Sequence, residues 1–204
     1  MLPAGRERLA LIPGSQVSEL WKRAGESEPW VFTFPSARSD WPAFGISHIA
    51  ALEYAAWRTG KQEDDGPRWT YRLPTDEEWE RAARGVDRRV FAWGDYLVWS
   101  FCVSHRGMHP PRLPRPVGSY PFDESPFGVR DMGGSVTEHT TGRPARGLRN
   151  TAYRGGSWQN LDEGYFRLAS RNSLLPEQHY ARHSGLRLVA EPVVQGSAPA
   201  VSEP

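Results

Sequence analysis

The clearest periodic pattern of apolar and polar positions predicts an α-helix that begins at Thr75. Thr75 and Glu78 have the spacing of a capping box, in which each side chain bonds a backbone N–H of the first turn. Gly85 is a typical stop signal. Four apolar residues recur at helical intervals and predict one narrow face that packs on a core: Trp79, Ala82, Ala83 and Val86.

A second helical pattern covers residues 46–58, with Ser47 as its N-cap and Gly60 just beyond its end. Apolar and polar residues alternate in several short stretches elsewhere, which is typical of β-strands. The predicted strands are "WVFTF" (30–34), "WTYRL" (69–73), "AYRGGSW" (152–158), "YFRLASR" (165–171) and "GLRLVAE" (185–191). Residues 86–150 alternate short apolar pieces with Gly and Pro and predict irregular loops.

Composition adds to this picture of a loop-rich fold. The 204 residues include 20 Gly, 18 Pro and 9 Trp, so the chain makes many turns and uses large aromatic side chains to fill the gaps between them. The length favours one domain. The 25 basic and 24 acidic residues nearly cancel, which gives no reason to expect a nucleic acid partner.

The single cysteine, Cys102, excludes an intrachain disulfide framework and a metal site with two cysteines. Cys102 lies in the apolar stretch "SFCVS" and is predicted to be a buried core side chain. No apolar run approaches the roughly 20 residues of a membrane span, and the first residues lack the order of a signal peptide. We therefore expect a cytoplasmic protein without a membrane span.

Five motifs, taken in order, resemble the formylglycine-generating enzyme, or sulfatase-modifying factor, domain family. They are "RLPTDEEWERAARG", "FAWGD", "SPFGVRDMGGSVTE", "RGGSW" and "GLRLV". The resemblance implies a C-type lectin-like, α+β fold in which two helices pack on a twisted, mostly antiparallel sheet with long irregular loops. The resemblance covers the family domain (41–191) and leaves a poorly determined segment before it (1–40). Residues 192–204 are rich in Pro, Ser, Ala and Gly and are expected to form a disordered tail.

The resemblance also bears on catalysis, because oxidases of this family bind copper through two cysteines after "RGGSW". No cysteine lies between Arg154 and Arg171, and amides and carboxylates are poor ligands for Cu(I). Copper and the oxidase activity are therefore not expected. The histidine pairs 105/109 and 179/183 have the spacing HxxxH, but nearby Gly and Pro argue against helices there. His48 and His139 are expected to stand alone.

The stretch "DMGGSVTE" resembles a calcium loop of the family. The resemblance implies four ligands: the side chain of Asp131, the carbonyls of Gly134 and Val136, and the carboxylate of Glu138. The alternative is a turn in which Asp131 and Glu138 bond backbone N–H groups or arginines. Both interpretations stay open, and sequence motifs for calcium-mediated sugar binding are absent.

Segment 157–184 is the candidate recognition surface, because it combines aromatic and planar polar residues that make good contacts at small entropic cost. Its candidate ligand-binding residues are Trp158, Gln159, Asn160, Tyr165, Asn172, His179, Tyr180, Arg182 and His183. A plain solvated surface is the alternative.

The function predicted from this segment is non-catalytic binding of a protein or a small molecule. One form of it is a variable protein diversified by a retroelement, because "RGGSW...ASRN...GLRLV" is similar to the hypervariable ends of such proteins. Another is a sensor module separated from a bacterial serine/threonine kinase, because "RAARGVDRRVFAWGD" is similar to versions of the domain appended to those kinases. A metal-dependent oxidoreductase of the family is the disfavoured alternative.

Overall fold

The computed structural model of the chain describes residues 21–22, 31–32, 40–61, 67–107, 114–142, 150–176 and 181–193. The predicted N-terminal segment 1–40 and tail 192–204 lie almost wholly outside the described residues. The fold within them is α+β, as the sequence predicted, with two α-helices and several short strands joined by long loops.

Helix α1 spans His48–Gly60 and begins where the sequence placed its cap. The Ser47 hydroxyl accepts a hydrogen bond from the N–H of Ala50 at 3.2 Å. Gly60 was predicted to lie beyond the helix, but it is the last helical residue, because the N–H of Lys61 still bonds the carbonyl of Arg58.

Helix α2 spans Asp76–Arg84 and has the predicted capping box at its start. Thr75 Oγ1 accepts the N–H of Glu78 at 3.1 Å, and Glu78 Oε2 accepts the N–H of Thr75 at 2.8 Å. At the other end Gly85 takes φ +71°, which ends the helix. The prediction that Val86 belongs to the apolar face is wrong: Val86 follows this turn, has left the helix and is 76% exposed.

Within the described residues, eight strands form three small sheets. The strands are β1 (Trp21–Lys22), β2 (Val31–Phe32), β3 (Trp69–Arg72), β4 (Thr137–His139), β5 (Asn150–Arg154), β6 (Asn172–Pro176), β7 (Ser184–Gly185) and β8 (Val189–Pro192). Strands β1 and β2 pair antiparallel, as do β3 and β8. The largest sheet has the order β6-β5-β4-β7, and only its β4–β7 pair is parallel.

The strand predicted at 165–171 is wrong. The chain forms a 3-10 helix over Glu163–Phe166, capped by Asp162, and then a loop, and strand β6 begins only at Asn172. Phe166 and Leu168 are buried while Tyr165 and Arg167 are exposed, so the loop has an alternating pattern without strand pairing. An alternating pattern of burial indicates which side chains face the core. It does not indicate that the backbone forms hydrogen bonds with a neighbouring strand.

Two other predicted strands have different bounds, and strand β4 was not predicted. Strand β5 ends at Arg154, not at residue 158, because Gly155 turns the chain with φ +77°. The stretch predicted as one strand over 185–191 forms two, β7 and β8. Strand β4 lies in a region predicted to be loop.

Helix α2 packs over the centre of the largest sheet through Trp79. The Trp79 side chain is buried with Ala83, Met132 and Leu168. Its indole Nε1–H donates to Glu138 of β4 at 2.7 Å, and the guanidinium of Arg154 in β5 stacks over its ring at 5.2 Å. The helix is therefore tied to the strand that ends the candidate calcium loop.

Candidate functional site

The recognition segment is anchored in the core by Trp158, which is only 4% exposed. Its backbone N–H donates to the carbonyl of Ser135 at 3.1 Å, and its ring packs edge-on against Phe44 with centroids 5.0 Å apart. Trp158 shares a buried cluster with Trp41, Phe44, Val103 and Val136. Trp158 therefore holds the segment in place from below instead of facing solvent.

Hydrogen bonds also fix the two residues that follow Trp158. The Ser157 hydroxyl donates to Asn160 Oδ1 at 2.6 Å and accepts the N–H of Gln159 at 3.3 Å. Asn160 is buried, whereas Gln159 is exposed. The turn therefore presents the Gln159 side chain on a backbone that is held on both sides.

Gln159 connects the start of the segment to its end. Its Oε1 atom lies 3.1 Å from Nδ1 of His183, so this bond requires Nδ1 to carry the proton. The His183 ring stands edge-on to Trp158 at 6.4 Å, and burial lowers the pKa of the imidazole below its usual value. The structure thus brings Trp158, Gln159 and His183 together, although His183 lies 24 residues from Gln159.

The other predicted contact residues are distributed around this pair. Tyr165, at the 3-10 helix, is 39% exposed, Arg182 is exposed and Asn172 is half-buried. His179 and Tyr180 lie outside the described residues. We call the solvent-facing members of the set the recognition surface: Gln159, Tyr165, Arg182 and His183.

The candidate calcium loop curls because two of its residues adopt a left-handed backbone without being glycine, Asp131 at φ +58° and Ser135 at φ +75°. Asp131 Oδ2 accepts the N–H of Gly118 at 2.7 Å. Glu138 Oε2 accepts from Trp79 and from Arg187, and Glu138 Oε1 accepts from Arg187 at 2.8 Å. Three of these four carboxylate oxygens therefore bond a backbone N–H, an indole or an arginine. This is the pattern expected if the stretch is a turn and not a calcium loop.

Arg187, in the motif "GLRLV", is a central residue of this region that the sequence did not single out. Its Nε donates to Glu138 at 2.7 Å, and one Nη donates to the carbonyl of Arg130 at 3.1 Å. Burial alone would lower the pKa of this guanidinium, but the nearby carboxylates of Glu138, Asp131 and Asp123 hold it above its usual value. The side chain and its partners line a cavity of about 440 Å³.

The remaining oxygen, Asp131 Oδ1, is buried and has no hydrogen-bond partner in the described part of the chain. Burial raises the pKa of Asp131, and it raises the pKa of the neighbouring Asp123 to about 7 despite two backbone N–H bonds. Three carboxylates, those of Asp123, Asp131 and Glu138, thus surround one guanidinium. If a Ca²⁺ ion bound at this loop, Asp131 Oδ1 is the carboxylate oxygen that would be left to hold it, because Arg187 and Trp79 already occupy the carboxylate of Glu138.

Cys102 is a core residue, as predicted. It is fully buried beside Phe91 and Phe166, and burial raises the pKa of the thiol well above its usual value. A neutral, enclosed thiol is neither a metal ligand nor a nucleophile.

The prediction that His48 and His139 stand alone is wrong. Their rings lie 5.5 Å apart, because β4 brings His139 beside the start of α1. Each ring bonds a backbone carbonyl, and burial lowers the pKa of His139 to about 3. No group of three His, Cys, Asp or Glu side chains arranged for a metal occurs among the described residues.

The helices of the described residues do not include one with the length and apolar character that crossing a membrane requires.

Comparison with known proteins identifies the relatives of this architecture. The profile of a family described as "Sulfatase-modifying factor enzyme 1-like domain" matches residues 18–192. Hercynine oxygenase of Mycobacterium tuberculosis is 29% identical over 167 residues, covering 71% of this chain and 36% of that protein. Formylglycine-generating enzyme of Thermomonospora curvata is 30% identical over 194 residues, covering 78% of this chain and 59% of that protein.

One solved structure with the same fold is Treponema denticola variable protein 1. It superimposes with a TM-score of 0.58 at 18% identity, covering 76% of this chain and 73% of its own. The chain therefore shares the fold of a variable protein and spans 36% to 59% of the length of the two curated relatives.

Proposed function

The chain belongs to the sulfatase-modifying factor enzyme 1-like domain family, and we propose that it is a non-catalytic member that binds a ligand through the recognition surface. The observation that carries the proposal is the number of cysteines in the chain. Oxidases of this family use two cysteines to bind copper, and this chain has one, Cys102, which is buried in the core. Without a thiolate pair, the chain lacks the soft ligands that Cu(I) prefers.

The construction of the recognition surface supports binding. Trp158 and Ser157 fix the backbone on which Gln159 is displayed, and the Gln159–His183 bond joins the two ends of the segment. Side chains that are already ordered lose little entropy when a partner binds. Amide, imidazole, phenol and guanidinium groups then offer hydrogen bonds in both directions.

Metal content is the first test, and the expected result is calcium without copper or iron. After incubation with each metal and gel filtration, the purified protein should retain about one equivalent of Ca²⁺. Calcium should raise the unfolding midpoint, because a ligand that binds only the folded state stabilises it. The variant Asp131→Asn should lose this effect, whereas Asp162→Asn, at an exposed carboxylate outside the loop, should keep it.

An activity assay completes this test. The copper-treated protein is incubated in air with a sulfatase-derived peptide that contains the target cysteine. We expect no aldehyde product. Copper or iron at one equivalent together with aldehyde formation would overturn the proposal, whereas loss of the calcium effect alone would overturn only the metal assignment.

Ligand binding is the second test. We expect compounds or peptides selected on the purified protein to bind at the recognition surface. Affinity should fall at least tenfold in the double variant Gln159→Ala/Arg182→Ala, since such groups act as contact anchors. Arg167→Ala is the matched control, because Arg167 is exposed and its ion-pair partner among the described residues is Glu163. Selected ligands that bind the double variant and the wild type equally would contradict this location.

Two observations bear on the choice between a variable protein, a sensor module and an oxidoreductase. The fold shared with a protein named as variable favours a variable protein, and a nearby DNA template that differs from the coding sequence at adenines would distinguish it from a sensor module. The similarity to hercynine oxygenase and to formylglycine-generating enzyme favours an oxidoreductase as the second candidate. The metal and activity assays above decide between binding and oxidation.

A further inference from the structure

A second surface, at the end of helix α2, has features of an interaction site that the proposed function does not use. Helix α2 and the turn that follows it enclose a cleft of about 370 Å³. Three carboxylates and three guanidinium groups line it, those of Glu77, Glu80, Arg81, Arg84, Asp87 and Arg88.

Every carboxylate of this cleft already has an arginine partner. Glu77 pairs with Arg171 at 3.0 Å, and Asp87 pairs with Arg89 at 2.7 Å. Glu80 pairs both with Arg84 at 2.6 Å and with Arg154 at 2.8 Å. Three of these partners, Arg171, Arg89 and Arg154, come from outside the cleft. The negative charge of the cleft is therefore neutralised.

Arg81 and Arg88 remain without a carboxylate. Within the described ranges neither guanidinium forms an ion pair, and both side chains are exposed. Arg84 is different, because its side chain is fixed by Glu80 and by the carbonyls of Arg88 and Arg89. The cleft thus presents two exposed guanidinium groups that no carboxylate of the described residues pairs, and these can meet an anionic partner.

Apolar side chains lie next to these charges. Phe127 is 55% exposed, and the guanidinium of Arg81 lies 5.9 Å from its ring centroid. Two hydrogen bonds hold the loop that carries Phe127, because Ser125 Oγ accepts the N–H groups of both Phe127 and Val129. Val86 is exposed on the other side of the turn, and Pro126 contacts Gly85 between them. A fixed aromatic ring at the surface is a typical anchor for a protein partner.

We propose that this cleft binds an acidic peptide segment of a protein partner, with carboxylates on Arg81 and Arg88 and an apolar side chain against Phe127 and Val86. Charge complementarity selects the partner. Two guanidinium groups beside apolar surface suit a peptide with few charges. A nucleic acid backbone needs a longer row of cations than this nearly neutral chain provides.

The test is a selection of random dodecapeptides displayed on phage against the purified full chain. We expect enrichment of sequences that place two or more Asp or Glu around an aliphatic or aromatic residue. Synthetic peptides with the enriched sequences should bind at least about fivefold more weakly to Arg81→Gln/Arg88→Gln. Phe127→Ala should weaken them further, and binding to the wild type should fall as salt increases.

The matched control is Arg130→Gln/Arg167→Gln, which removes two exposed arginines that already have carboxylate partners. It should bind the peptides as the wild type does, and the variants should share one unfolding midpoint. Two outcomes would overturn the proposal. One is a set of enriched peptides that lacks acidic residues, or a set that binds the cleft variant and the wild type with equal affinity. The other is no enriched peptide, together with a single-stranded DNA 15-mer that binds the wild type but not the cleft variant.

Discussion

Replacing Arg154 with methionine is expected to lower the free energy of unfolding by about 3 to 5 kcal/mol. The Arg154 side chain is completely buried, and its donors reach four acceptors. These acceptors are the carbonyls of Leu168, Ala169 and Ser170 and the carboxylate of Glu80. Methionine has a similar length and fills the space over Trp79, so the predicted loss comes from the unsatisfied carbonyls and not from a cavity.

Urea unfolding followed by tryptophan fluorescence measures this effect. Arg154→Lys should recover part of the loss, because an ammonium keeps the charge but lacks the planar fork that meets several acceptors at once. The control Arg130→Met removes an exposed pair with Glu124 and should cost less than about 1 kcal/mol. A loss below 1 kcal/mol for Arg154→Met would mean that water satisfies the carbonyls and that the guanidinium does not hold this loop.

Local signals in the sequence correctly predicted several features that depend on near neighbours. The capping box of α2 joins Thr75 and Glu78, and Ser47 caps α1 three residues before its partner. The burial of Cys102 followed from the apolar residues on both sides of it. In each case the physical cause lies within one or two turns of chain, where a pattern can report it.

The remaining features depend on contacts between distant residues. Arg154 meets Glu80 at a separation of 74 residues, and Arg187 meets Glu138 at a separation of 49. His48 bonds the carbonyl of Thr140 across 92 residues. A lone Arg or His in an alternating stretch looks the same whether it faces solvent or a buried carboxylate, so the sequence alone gave no reason to select these residues.

The candidate site also combines features that depend on near neighbours with features that depend on contacts between distant residues. The sequence predicts segment 157–184 as a recognition surface, but the inward direction of Trp158 and Asn160 depends on the cluster around Trp41 and Phe44. That cluster forms from four separate stretches of the chain. Sequence reasoning therefore did not separate the residues that support the segment from those that it exposes.

Replacing Arg187 with methionine is the second change with a large expected effect, a loss of about 3 to 5 kcal/mol at pH 7. The change leaves the indole of Trp79 as the remaining side-chain partner of Glu138 among the described residues, and it removes the positive charge beside Asp131 and Asp123. Glu138→Gln should cost less, about 2 to 3 kcal/mol, because Asp131 and Asp123 still neutralise Arg187 and the Gln carbonyl can still accept from Trp79.

A double-mutant cycle measures the pair itself. Glu138→Gln/Arg187→Met should be more stable than the sum of the single losses predicts, with a coupling energy of at least about 1.5 kcal/mol. Additive losses would show that the two side chains do not stabilise one another. Glu124→Gln/Arg130→Met, which removes an exposed pair, is the matched control and should show a coupling energy below about 1 kcal/mol.

The pH dependence of Arg187→Met distinguishes loss of charge from loss of packing. Burial raises the pKa of Asp123 to about 7 while Arg187 lowers it, so removing Arg187 should raise this pKa further. An Asp carboxyl in the unfolded chain titrates near about 4, so the folded state binds the extra proton and loses stability as the pH rises between these two values. The difference in unfolding free energy between wild type and Arg187→Met should therefore be larger at pH 8 than at pH 5. A difference that does not change with pH would mean that Arg187 acts by packing and that Asp123 does not sense its charge.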